Sequence, residues 1–230
     1  MFVKKQKRIL IIGIAVVMTA IILAVVIWKT NQKTMSYEEK VEAFVNENPN
    51  LKQGQIVFVG DSITAGYSLK SYYRDLKFET YNRGISGDTA NWLLARMQVS
   101  VIDIAPSEIV LMIGTNDING GKSAEEIAKD YERILEWIAT DLPQTKVFCI
   151  SIIPQNHEYS ENAAENNERI KETNAKIEIL ATERGYQYIN LYDELTDQEG
   201  FLKRNYSTDG LHLSSRGYRI WTNVMKSYLK

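Results

Sequence analysis

The stretch "QIVFVGDSITAGYS", Gln55 to Ser68, decides how the rest of the chain reads. Four apolar residues, Ile56 to Val59, run without interruption into Gly60-Asp61-Ser62, and a second glycine follows at Gly66. A continuous apolar run bounded by turn residues predicts a strand covered on both faces. Ser62 then stands just past the carboxyl end of that strand, either as a helix cap or as a nucleophile. The familiar elbow, a serine with glycines two positions to either side, is absent, so the choice depends on what else the chain supplies.

Working outward, β-rich runs recur at 78–81, 108–113 ("EIVLMI"), 146–151 ("KVFCIS") and 186–190 ("YQYIN"). Helical patterns occupy 36–48, 88–98, 123–140, 164–184 and 214–229. Strands alternating with helices over short connections predict a parallel sheet with right-handed crossovers. The polar segment "PQNHEYSENAAENNE", Pro154 to Glu168, reads as a solvated loop or a mobile rim.

The N-terminal thirty residues are different in kind. Residues 9–28, "ILIIGIAVVMTAIILAVVIW", carry no charge, and as a helix they rise roughly 30 Å, the thickness of a hydrocarbon core. Lys4, Lys5, Lys7 and Arg8 crowd the preceding side, and Trp28 sits where an interfacial anchor would. The organisation expected is a cytoplasmic basic tail (1–8), a transmembrane helix (9–28), a linker (29–35) and an exported domain (36–230), single-pass in the cell membrane. Secretion after cleavage of a signal peptide is the alternative.

The 27 basic and 29 acidic residues nearly balance, and no basic stripe points to nucleic acid. Cys149 is the sole cysteine, so neither an internal disulfide nor a thiolate metal site can form.

In open parallel sheets, ligands gather beyond the carboxyl ends of the strands. The segments found there are Gly60-Asp61-Ser62, "NRGISGDT" (Asn82 to Thr89), Gly114-Thr115-Asn116-Asp117 and, before the last helix, "STDGLHLSSRGY". Singly, each reads as a turn or a cap. Together they hold what acyl transfer requires. A serine needs a base within hydrogen-bond reach, the base needs a group to hold its tautomer, and the oxyanion needs fixed donors. Of the two histidines, His157 lies in the polar loop, whereas His212 has Asp209 three residues before it across a glycine bend. The N–H of Ser62, the N–H of Gly87 and the side-chain amide of Asn116 are the candidate donors. Trp92, Tyr67 and Tyr72 read as the lining of a modest pocket for a short acyl group.

These four segments, in this order, resemble the signature blocks of the SGNH hydrolases, also called the GDSL esterase/lipase family. The resemblance spans Ile56 to about Tyr218. It implies a three-layer α/β/α sandwich around a parallel sheet of about five strands in flavodoxin-like order. It implies Ser62 as nucleophile, His212 as base and Asp209 as the group orienting it. The oxyanion hole would be formed by Ser62, Gly87 and Asn116, with Gly87 chosen over Gly84 because it lies within "SGDT". The activity expected is a membrane-anchored extracellular serine esterase, acting on a small-molecule, lipid or glycan ester without metal or organic cofactor. An acyltransferase or a catalytically silent binding module of the same fold are the alternatives.

Overall fold

The computed structural model describes residues 35–229, of which 39–229 fall in a single compact unit. In chain order it contains α1 (Tyr37–Glu47), β1 (Ile56–Gly60), α2 (Ser62–Ala65), α3 (Leu69–Tyr72), β2 (Thr80–Gly84), α4 (Ala90–Ala95) and α5 (Met97–Ser100). Then come β3 (Glu108–Met112), α6 (Thr115–Asn119), α7 (Ala124–Asp141), β4 (Lys146–Ile150), α8 (Ala163–Glu183), β5 (Gln187–Ile189), α9 (Leu191–Leu195) and α10 (Ser215–Met225). The expected membrane span 9–28, the basic tail and all of the linker but Met35 lie outside the described residues. Among the described residues, no helix is long and apolar enough to cross a membrane.

All strand pairs are parallel, in the order β2-β1-β3-β4-β5, so the expected five-stranded sheet in flavodoxin-like order is present. Side chains alternate across a strand, and the two halves of that alternation feed two cores. Val57, Val59, Ile109, Leu111 and Val147 pack with Leu93 of α4, Ile134 of α7 and Ile170 of α8. Ile56, Phe58, Val110, Met112 and Phe148 pack with Ile63 of α2, Leu195 of α9 and Trp221 of α10. This two-sided burial is why residues 56–59 of β1 and 109–112 of β3 are unbroken apolar runs.

Helix α7 begins at a full capping box. Ser123 accepts from the Glu126 N–H, and the Glu126 carboxylate accepts from the Ser123 N–H.

Three expectations shift. The strand expected at 78–81 forms at Thr80–Gly84, because pairing with β1 sets its register, Ile56 beside Thr80 and Gly60 beside Gly84. As an edge strand made of "TYNRG", it lacks the apolar run that marks its neighbours. The helix expected over 88–98 breaks at Arg96 into α4 and α5, where the backbone leaves helical angles and the guanidinium turns in toward the strand ends. The polar segment opening at Pro154 does not begin as a solvated loop. Gln155 and Asn156 are buried, and Asn156 donates from Nδ2 to the Leu202 carbonyl at 2.8 Å and from its N–H to the Gly210 carbonyl at 2.8 Å.

Candidate active site

The sheet reverses its winding between β1 and β3, and ligand crevices open at such a switch point. Gly60 of β1 leads to Asp61, whose side chain caps α2 by accepting from the Ile63 N–H at 2.9 Å. That cap leaves the N–H of Ser62, first residue of the helix, unused among the described hydrogen bonds. Helix α2 is a single turn, so it supplies that local N–H and not the summed dipole of a long helix. Asp61 is fully buried, and burial pushes its pKa up to about 7 against the lowering hydrogen bonds from the Ile63 N–H and the Thr115 side chain.

The structure brings His212 to this serine across 150 residues of sequence: Ser62 Oγ lies 2.9 Å from His212 Nε2. His212 Nδ1 lies 2.7 Å from Asp209 Oδ2, while Asp209 Oδ1 accepts from the N–H groups of His212 at 2.7 Å and Leu211 at 3.0 Å. One carboxylate therefore fixes both the ring and the backbone of the bend. Burial alone would raise the Asp209 carboxyl, but the hydrogen bonds from the His212 ring and the two amides outweigh it and hold the pKa below its usual value. The bend is closed by a bridge between Ser207 and Leu213, and Leu213 is anchored in the core. Tyr159 and Asn156 pack over its Gly210 corner.

The three proposed oxyanion donors come from the expected strand ends. Gly87 is exposed, with φ +82°, a conformation that favours glycine, and its N–H is unused among the described hydrogen bonds. Gly84, the rejected candidate, donates its N–H to Asn82 Oδ1 at 2.9 Å and lies against the Ala65 backbone. Asn116 donates one Nδ2 hydrogen to the Asp88 carbonyl at 2.8 Å. That bond leaves the second amide hydrogen for a ligand. Asp117 braces the same region: Oδ2 accepts from the Ala90 N–H at 2.9 Å, and Oδ1 pairs with Lys122 at 2.8 Å.

Other readings are corrected. Tyr67 is not pocket lining; it is buried among Phe58, Tyr218 and Trp221, and its hydroxyl bonds Thr222. Tyr72 packs against that same core and donates to the Ser215 carbonyl. Of the three aromatics, only Trp92 is well exposed, at 52%. A cleft of about 700 Å³ follows the outer edge of β2, lined by Tyr73, Arg74, Phe78 and Tyr81, and none of Ser62, His212 or Asn116 borders it. Arg96 escaped the sequence reading; its only signal was a lone cation in the apolar helical stretch "WLLARMQV".

A three-layer parallel α/β unit with a serine, histidine and aspartate in hydrogen-bonded series defines a serine-hydrolase type of site. Residues 58–220 match the GDSL-like lipase/acylhydrolase family, and the chain belongs to it. Platelet-activating factor acetylhydrolase IB subunit alpha2 of Homo sapiens is 28% identical over 176 residues, covering 73% of this chain and 72% of that protein. A Streptococcus pneumonia structure, provisionally described as a platelet activating factor, superposes with TM-score 0.79 at 32% identity, covering 93% of this chain and 99% of that one. A GDSL-like lipase from Bacteroides thetaiotaomicron gives TM-score 0.73 at 25% identity, covering 82% and 96%.

Proposed function

We propose that the chain is a serine ester hydrolase working through an acyl-enzyme, with a short acyl group, acetyl foremost, as its substrate portion. The observation that carries the reading is the unbroken series Ser62 Oγ, His212, Asp209, at 2.9 and 2.7 Å. His212 Nε2 takes the proton of Ser62 as the hydroxyl attacks the ester carbonyl, and Asp209 holds the other ring nitrogen and stabilises the imidazolium that forms. The tetrahedral oxyanion is received by the N–H of Ser62, the N–H of Gly87 and the free hydrogen of Asn116 Nδ2. The protonated histidine then releases the alcohol, and the same ring activates the water that frees the acid.

The acetyl preference draws on the acetylhydrolase name of the mammalian relative. The tether proposed for residues 9–28 would present the site to lipid or glycan esters outside the cell, a placement that rests on the charge-free run and its basic flank.

The test uses p-nitrophenyl esters of increasing chain length. Turnover should be greatest with acetate, and Ser62→Ala should abolish both turnover and covalent labelling by a fluorophosphonate. Labelling that persists in Ser62→Ala would assign the nucleophile elsewhere.

A further inference from the structure

The three donors assigned above stand on different strand ends, and one guanidinium joins the first two of those ends to the loop residue that orients the third donor. We propose that Arg96 is a positioning residue that holds the oxyanion donors in register, an inference that rests on the reading of Ser62, Gly87 and Asn116 just given. Its Nη2 donates to the Gly60 carbonyl at 3.0 Å, two residues before Ser62. Its Nη1 donates to the Arg83 carbonyl at 2.9 Å, at the end of the strand that leads to Gly87, and to Ser100 Oγ at 2.9 Å. Its Nε donates to Asp88 Oδ2 at 2.8 Å. Asp88 follows Gly87 directly, and its own carbonyl orients Asn116 Nδ2. A single side chain thus touches the approach to the first donor, the approach to the second, and the residue joining the second to the third.

The choice of arginine follows from this geometry. A planar fork with five N–H donors can serve several fixed acceptors at once, whereas lysine offers one compact charge. Arg96 is 3% exposed and Asp88 is fully buried. A buried ion pair of this kind is poor value as a stabiliser, because apolar residues of similar volume commonly do as well. Presetting a hydrogen-bond array before substrate arrives is what such a pair can do and an apolar filling cannot.

The experiment is a double-mutant cycle in the full chain, read as kcat and KM with p-nitrophenyl acetate. Arg96→Lys should lower kcat by about 10²-fold, the order of loss that follows a misplacement of about 1 Å in a reacting array, while KM stays within about threefold. In the Asn116→Ala background the same substitution should cost much less, because part of what it positions is already gone. Equal fold-losses in the two backgrounds, or a loss confined to KM, overturn the proposal. Should Arg96→Lys fail to fold, Asp88→Asn replaces it, since this variant removes the charge partner but keeps the carbonyl that orients Asn116. A wild type that neither turns over the ester nor labels at Ser62 withdraws the underlying function; an active, labelled wild type with additive losses withdraws only the clamp.

Discussion

At the residue scale, the buried aspartate beside the serine is the least expected group. Asp61 braces α2 by accepting from the Ile63 N–H, and burial raises its pKa to about 7. The folded state therefore holds this proton more tightly than the unfolded chain does. The stability contributed is fully present below the ordinary carboxylate range and is lost as pH rises through about 7. Asp61→Asn keeps an oxygen for the Ile63 N–H and does not titrate. The Tm of the variant, relative to wild type, should rise between pH 5 and pH 8, by an amount equivalent to a few kcal/mol at most. A Tm difference that stays constant over that range would contradict the assignment. Ser62, Asn116, Asp209 and His212 could be named from the four blocks taken together, since singly each block reads as a turn or a cap, and Gly87 was picked over Gly84 on the family resemblance. Arg96 could not be named so, because most of its partners, the Gly60 and Arg83 carbonyls and the Asp88 carboxylate, come from segments other than its own helical stretch.

At the scale of elements, the close approach of α2 to the end of β2 decides where the serine stands. A side-chain carbon added at Gly84 would lie 2.2 Å from the Ala65 nitrogen and 2.7 Å from its Cα. Backbone atoms cannot step aside as a flexible side chain can. Gly84→Ala should therefore cost roughly 1–3 kcal/mol in urea unfolding, as overpacking typically does, and should slow fluorophosphonate labelling of Ser62 by shifting α2. Unchanged stability would show that the two elements have slack between them. The helices expected at 123–140 and 164–184 appear almost unchanged, as Ala124–Asp141 and Ala163–Glu183. Their apolar periodicity is local and sustained over several turns. The strand β2 was misplaced and the break at Arg96 was not foreseen, because pairing and burial from distant segments set them.

At the scale of the whole molecule, the N-terminal apolar run and the hydrolase unit are separate statements. We expect the full chain to stay with membranes through an alkaline carbonate wash, and a chain beginning at Ser36 to be released with its p-nitrophenyl acetate turnover within about twofold. The apolar run supplies membrane affinity, whereas the assigned reacting groups all lie beyond residue 60. Release of the full chain by the wash would remove the tether, and loss of turnover on truncation would tie the N-terminal segment to the chemistry.

Sequence alone determined the layered parallel fold, the order of its blocks and the five residues assigned to the site. Strand burial, helical periodicity and turn chemistry are written in residues close together along the chain. Tertiary structure decided which aromatics are core, how β2 is registered, that Gln155 and Asn156 are buried, and that Arg96 ties the ends of β1 and β2 to Asp88. Each of these depends on contacts between segments far apart in the chain, whose meeting is set by the packing of the whole sheet and its two helical layers.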